Sequence, residues 1–225
     1  MKKFIIIVLA VVVLIGGGAL LKKNGKTTVA NTTAGPTSNI KGNVKARVKL
    51  VQYGDFQCPS CGFFYPILKQ VTEKYKDQLA FQFVNFPLTQ IHQNAQAAAR
   101  AGQAAANQGK FWEMHDKLYE GQQAWKTDSN APSTFEEYAN QLGLNMTNYK
   151  TDYASASTNA IINADIATGQ ALKIAGTPTF FLDGKQIEDS NTVSTPAKFG
   201  AVIEAEIAAK TGKPYVAPTT TTTTP

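Results

Sequence analysis

Hydrophobic positions in this chain follow several distinct patterns, and each predicts a different element. From Phe4 to Leu21 the residues are uncharged and mostly apolar, a run about as long as a bilayer core, with lysines on both flanks. It predicts a membrane anchor within residues 1–26, or else a long signal segment whose cleavage would release the rest as a secreted protein. A secretory signal would have a shorter apolar core, and Lys22, Lys23 and Lys26 separate this run from cleavage points ending at Ala30 or Ala34. Residues 27–42 are rich in Thr, Asn, Gly and Ser and poor in large apolar side chains, which predicts a flexible linker.

Val48 to Tyr53 carries Val, Leu and Tyr up to Gly54 and reads as a strand. Pro59 then suits the first turn of a helix, and Phe63, Phe64, Ile67, Leu68 and Val71 recur at helical spacing. Pro66 removes one hydrogen bond inside that helix, so a kink is expected near Gly62. Leu79 to Phe86 alternates as a second strand and Pro87 ends it, giving a β-α-β beginning.

Helical signals fill residues 88–173. An Ala-rich helix over Asn94 to Asn107 stops at Gly109, and Phe111 to Tyr119 has an aromatic face. Ser133 and Glu136 form a capping box ahead of Phe135, Ala139 and Leu142, with Gly143 as the stop. Ser157 to Lys173 keeps Ile162, Ile166 and Gly169 in register. There is no internal repeat, so this is an inserted helical subdomain and not a solenoid.

Beyond it, Gly176-Thr177-Pro178 leads the apolar strand Thr179 to Leu182 into an Asp183-Gly184 hairpin turn, a place where a cis bond or an edge strand is tolerated. The last helix has Thr195 as N-cap, Pro196 at its first position, and Phe199, Val202, Ile203 and Ile207 as its apolar face. Residues 213–225 end in threonines bounded by prolines and predict a disordered tail.

Charge changes this picture little. The formal net charge of +6 is concentrated in Lys2, Lys3, Lys22, Lys23 and Lys26, and the remainder is close to neutral, so nucleic acid is not an expected partner.

The cysteines change it most. The chain has 2, Cys58 and Cys61, and they lie at the start of the first helix. Closing so small a loop would stabilise the fold by only ~2 kcal/mol. A structural zinc needs four ligands, and His92 and His115 have no ligand-like spacing with the pair. Redox chemistry is therefore the expectation, and no metal site is expected. At a helix N-terminus free N–H groups and the helix dipole stabilise an anion, so Cys58 is the expected exposed thiolate and Cys61, one turn inside, the resolving thiol. Asp55 reads as a turn residue, and His92 and His115 as capping or packing residues. Phe111, Trp112 and Tyr119 read as helix core, with a substrate groove as the other possibility.

Three blocks in order, Gly54-Asp55-Phe56-Gln57-Cys58-Pro59-Ser60-Cys61, Gln108 to Asp116 and Gly176 to Phe181, resemble the DsbA-like thiol:disulfide oxidoreductases of the thioredoxin superfamily. The resemblance spans residues 40–212. It implies an α/β, thioredoxin-like fold over residues 43–212 with the helical insertion at about 88–173, and a redox-active Cys58–Cys61 disulfide in place of any cofactor. Cys58 would be the nucleophile, Cys61 its partner, and Pro59 with Ser60 the dipeptide that tunes the thiolate. Pro178 would be a cis-proline facing the disulfide, and the Thr177 backbone would hold an extended substrate. Six positions before the first cysteine the family commonly has a buried acid that exchanges protons with the resolving thiol; here Gln52 stands there, and an amide takes no proton. Asp55, water or another group would have to serve.

The expected activity is donation of disulfides to exported protein or peptide thiols, on the oxidising, extracytoplasmic side of a membrane, by a monomer recharged by a membrane reoxidant. A disulfide reductase or isomerase, and a metal-delivery or binding module without enzymatic activity, are the alternatives.

Overall fold

A computed structural model describes residues 35–216. The proposed anchor, the first half of the linker and residues 217–225 of the tail lie outside them. Among the described residues no helix is long and apolar enough to cross a membrane.

A five-stranded sheet in the order β1-β3-β2-β4-β5 forms the frame, from Ile40–Gly42 (β1), Val48–Gly54 (β2), Leu79–Asn85 (β3), Thr179–Leu182 (β4) and Lys185–Gln186 (β5). Strands β2 and β3 are parallel, joined through helix α1 (Pro59–Lys74), as the β-α-β pattern requires; β1, β4 and β5 pair antiparallel to their neighbours. Side chains alternate across β2. Leu50 packs with Phe64, Leu68 and Phe81 and with Phe199 and Ile203 of the last helix, α8 (Pro196–Thr211). Tyr53 faces the other way, with Val84, Phe86, Phe181 and Ile166.

The insert comprises α2 (Ala95–Ala106), α3 (Phe111–Glu120), α4 (Gln122–Trp125), α5 (Ala131–Gln141), α6 (Met146–Ala154) and α7 (Ala156–Ala171). Gly109 and Gly143 follow α2 and α5 with φ of 72° and 70°, the left-handed conformation in which a glycine stop costs least. The Asp183-Gly184 turn has φ of 48° and 81°, which matches the twist of the hairpin it closes.

Several expectations need correction. Ile40–Gly42 is not linker: Ile40 is its only large apolar residue, but the free edge of β3 supplies a partner, and the buried Thr37 and Asn39 precede it. Residues 213–216 are not all free tail, because the Tyr215 ring packs edge-on against Tyr75 at 4.7 Å and its hydroxyl donates to the Lys74 carbonyl at 2.9 Å. Ser133 does not cap α5. That helix begins two residues earlier with Pro132 in its first turn, and the Ser133 hydroxyl donates to the side chain of Asn130, the N-cap residue, at 3.0 Å. Helix α6 was not predicted, since Tyr149 is its only buried residue and leaves no apolar stripe to read. Strand β4 is not an edge; it lies between β2 and β5. Pro66 sits inside α1 without ending it.

Candidate active site

Strand β2 ends at Gly54, and the next residues form a turn held by a carboxylate. Asp55 Oδ1 accepts from the Gln57 N–H at 2.8 Å, and the Asp55 carbonyl accepts from the Cys58 N–H at 3.1 Å. Its Oδ2 accepts from the Leu88 N–H at 2.9 Å and lies 2.6 Å from His92 Nδ1. Both oxygens are thus occupied, and Asp55 is the turn residue its sequence position predicts. His92 braces that turn. His115 is buried among aromatic rings with Nδ1 3.1 Å from Asp116, and burial lowers its pKa.

The turn places Cys58 at the N-cap of α1, with φ −64° and ψ 123°, and Pro59 in the first helical turn, where its missing N–H leaves nothing unpaired. Both cysteines are free thiols. Cys58 is 6% exposed and Cys61 0%, so the expected order of access holds but Cys58 is not openly exposed. A narrow opening suits a sulfur that must meet another sulfur while staying largely dry.

The two thiols have opposite acidities. The Cys58 pKa falls to about 5, because the Cys61 thiol donates to its anion, Thr177 adds a side-chain hydrogen bond, and the N–H groups of Ser60 and Cys61 point at the sulfur; burial opposes this. The Cys61 pKa is pushed well up, first by burial and then by the neighbouring Cys58. The pair therefore shares one negative charge, and Cys58 carries it.

Thr177-Pro178 forms the opposite wall, and its peptide bond is cis. The Cys58 thiol donates to the Thr177 carbonyl at 3.2 Å, while the buried Thr177 hydroxyl has no nitrogen or oxygen partner and favours the anionic form of both sulfurs. Beside this contact lies an open groove of about 440 Å³ walled by Ser60, Phe64, Lys173, Thr177, Pro178 and Glu188 among others. Phe111, Trp112 and Tyr119 do not line it; Phe111 and Tyr119 are buried in one hydrophobic core and Trp112 packs against it, while Phe111 and Trp112 also border a separate hollow of about 320 Å³ with Asn39 and Gln103.

Gln52 is 1% exposed, between Phe83 and Phe180 in the sheet, and neither its Nε2 nor its Oε1 has a hydrogen-bond partner. Its amide points along β2 toward the site, since Nε2 would lie 3.3 Å from a Cβ at Gly54.

Sequence reasoning missed the groups that tie this turn to the insert. Gln122 Nε2 donates to the Phe56 carbonyl at 2.7 Å and the Cys58 carbonyl at 3.0 Å, and it fits only because Gly62 has no side chain: a Cβ there would lie 2.5 Å from Gln122 Oε1. Gln57 Oε1 accepts from the Asn94 N–H at 2.6 Å, and its Nε2 donates to the Lys126 carbonyl at 2.7 Å. The glycine after Cys61 was a visible clue to close packing; its partner was not.

Residues 34–205 match the family model described as Thioredoxin. In fold the chain is similar to BdbD from Bacillus subtilis, with TM-score 0.65 and 24% identity over 75% of this chain and 91% of that one. It is similar also to MdbA, a thiol-disulfide oxidoreductase from Corynebacterium diphtheriae, with TM-score 0.61 and 18% identity over 72% and 88%. In sequence it is 34% identical over 148 residues to the Na(+)/H(+) antiporter NhaA 3 of Salinispora tropica, covering 66% of this chain but only 22% of that protein. The chain thus spans under a quarter of the length of that relative.

Proposed function

The chain belongs to the thioredoxin family, with the fold of DsbA-type proteins, and from that premise we propose that it is a membrane-tethered, extracytoplasmic thiol:disulfide oxidoreductase that donates the Cys58–Cys61 disulfide to exported proteins. The observation that carries this reading is the stabilised Cys58 thiolate, with its pKa at about 5. A low-pKa thiolate leaves readily, and stabilising the reduced state makes the oxidised state a stronger oxidant. Tethering and compartment rest on the apolar run Phe4 to Leu21 and on the oxidising surroundings a cycling disulfide needs.

In the forward direction a substrate thiolate, its backbone aligned along Thr177, attacks the Cys58 sulfur. The Cys58–Cys61 bond breaks and Cys61 leaves. The substrate's second thiolate then displaces Cys58, and a membrane partner restores the disulfide. Pro59 and Ser60 set the N–H groups toward Cys58, and Gln52, buried on β2, takes no proton. A Cys61→Ala variant in the native host tests this reading: it should accumulate mixed disulfides between Cys58 and exported proteins, and capture of cytoplasmic proteins alone would contradict it.

A further inference from the structure

Gln122 opens α4 of the helical insert and is buried, at 2% exposed, against the turn that carries Cys58. One amide nitrogen serves two backbone oxygens there: Gln122 Nε2 donates to the Phe56 carbonyl at 2.7 Å and to the Cys58 carbonyl at 3.0 Å, which uses both of its hydrogens. The Cys58 carbonyl also receives the Gly62 N–H at 3.1 Å as α1 begins. The Phe56 carbonyl, on a residue 1% exposed, has Gln122 as its one donor among the described residues. A buried carbonyl that loses its donor is costly, so without Gln122 the Phe56–Gln57 peptide would turn to find water, and Cys58 would turn with it. The amide has room because residue 62 is glycine: a Cβ there would stand 2.5 Å from Gln122 Oε1 and 3.2 Å from Nε2.

We propose that Gln122 is a positioning residue for the exchange, whose amide clamps the Phe56 and Cys58 carbonyls and so holds the Cys58 sulfur at the start of α1 facing Thr177, and that residue 62 is glycine because that amide fills the place of its side chain. The inference rests on the oxidoreductase reading above. Gln122 forms no bond to sulfur and carries no proton; its effect is geometric. The N–H groups of Ser60 and Cys61 stabilise the Cys58 anion only while the sulfur lies over the helix end, and the Thr177 carbonyl is met at 3.2 Å only from that position. The insert braces the clamp. Gln57, between the two held carbonyls, accepts from the Asn94 N–H at 2.6 Å and donates to the Lys126 carbonyl at 2.7 Å, while Asn94 Nδ2 donates to the Trp125 and Asp128 carbonyls at 3.0 and 2.8 Å. Residues 122–128 and the Cys58 turn are thus tied into one piece. A looser turn leaves the thiolate less stabilised, which favours the Cys58–Cys61 disulfide and makes the pair a weaker oxidant.

Two variants that disturb the same amide from opposite sides test this in the full chain. Gln122→Ala removes both donors. Gly62→Ala keeps Gln122 but pushes its amide aside, although alanine itself suits a helix better than glycine. In each, the midpoint for alkylation of Cys58 in the reduced protein should rise by about one pH unit, and equilibration with glutathione should move about tenfold toward the disulfide form. The double variant should shift no further than either alone, because both changes act on one contact. Gln108→Ala also removes two hydrogen bonds of one glutamine in the insert, those to the Asn145 carbonyl and from the Asn145 N–H at 3.2 and 2.8 Å, and should titrate and equilibrate like the parent. Urea unfolding of the oxidised forms shows which variants are folded; should Gln122→Ala fail there, Gly62→Ala carries the test. A parental midpoint and equilibrium in the folded variants, additive shifts in the double variant, or an equal shift in Gln108→Ala would overturn the proposal. A parent that does not equilibrate with glutathione at all would instead overturn the oxidoreductase reading beneath it.

Discussion

The Cys58 thiol and the Thr177 carbonyl, 119 residues apart in the chain, meet at 3.2 Å across the mouth of the site. The Thr177 hydroxyl, buried beside them without a nitrogen or oxygen partner, favours the thiolates. Thr177→Val keeps the shape and removes that hydroxyl. The midpoint for alkylation of Cys58 should then rise from about pH 5 toward neutrality, by about one unit if the hydrogen bond has the strength usual for a charged acceptor. An unmoved midpoint would mean that the hydroxyl plays no part.

The depressed Cys58 pKa also makes the stability of the reduced protein depend on pH. Its folded value of about 5 lies below the 9.0 of an ordinary thiol in the unfolded chain, so the contribution is complete above the unfolded value and is lost as pH falls through the folded one. At pH 7 it is on the order of 2 kcal/mol. The oxidised protein has no thiol to titrate. The stability difference between the two forms, measured by urea unfolding, should therefore shift by roughly that amount between pH 7 and pH 5, with the reduced form losing ground; a constant difference would contradict the assignment.

Gln52 presents two buried amide atoms with no partner. Leaving such atoms unpaired costs about 1–3 kcal/mol relative to solvation, whereas an apolar group of similar size is nearly neutral or favourable. Gln52→Leu should accordingly unfold at the same temperature as the parent or a few degrees higher. A loss of more than about 2 kcal/mol would show that the amide is bonded after all.

Much of this site was legible in the chain, because its central features are local. The helix start behind Cys58, the Asp55 turn and the Asp183-Gly184 hairpin each depend on neighbouring residues, and neighbours are what a sequence displays. The contacts that Gln122, Asn94 and Tyr119 make with the turn, by contrast, join segments more than 30 residues apart, and a glutamine or tyrosine on a helix does not announce which carbonyl it will meet. Helix α6 and strand β1 were missed for a related reason. Each is stabilised by what it packs against, Arg100 binding the Tyr153 and Ser155 carbonyls at the end of α6 and β3 pairing with β1, and not by a pattern of its own.

Asp165 of α7 exemplifies such a long-range tie. Its buried carboxylate accepts from the N–H groups of Thr37 and Asn85 at 2.7 and 3.1 Å and from Asn85 Nδ2 at 2.8 Å, and burial raises its pKa to about 6. A carboxyl raised from 3.8 in the unfolded chain to about 6 in the fold makes the protein less stable as pH climbs through that window, with no further change above it. Asp165→Asn should abolish that slope. It should also cost about 1–3 kcal/mol at pH 7, because an amide whose single oxygen serves the Asn85 donors turns its NH2 on the Thr37 N–H and leaves that donor unpaired. Chemical denaturation at pH 4.5 and 7 measures both effects.

The central claim, that this geometry makes the Cys58–Cys61 disulfide a donor, is tested most directly by the reduction potential of the pair. Equilibration in glutathione buffers, with the thiol and disulfide forms separated by alkylation, gives it in one titration. The stabilised Cys58 thiolate predicts a potential well above the roughly −270 mV of thioredoxin, nearer the −120 mV of strongly oxidising members of the superfamily. A value as reducing as thioredoxin's would contradict the account.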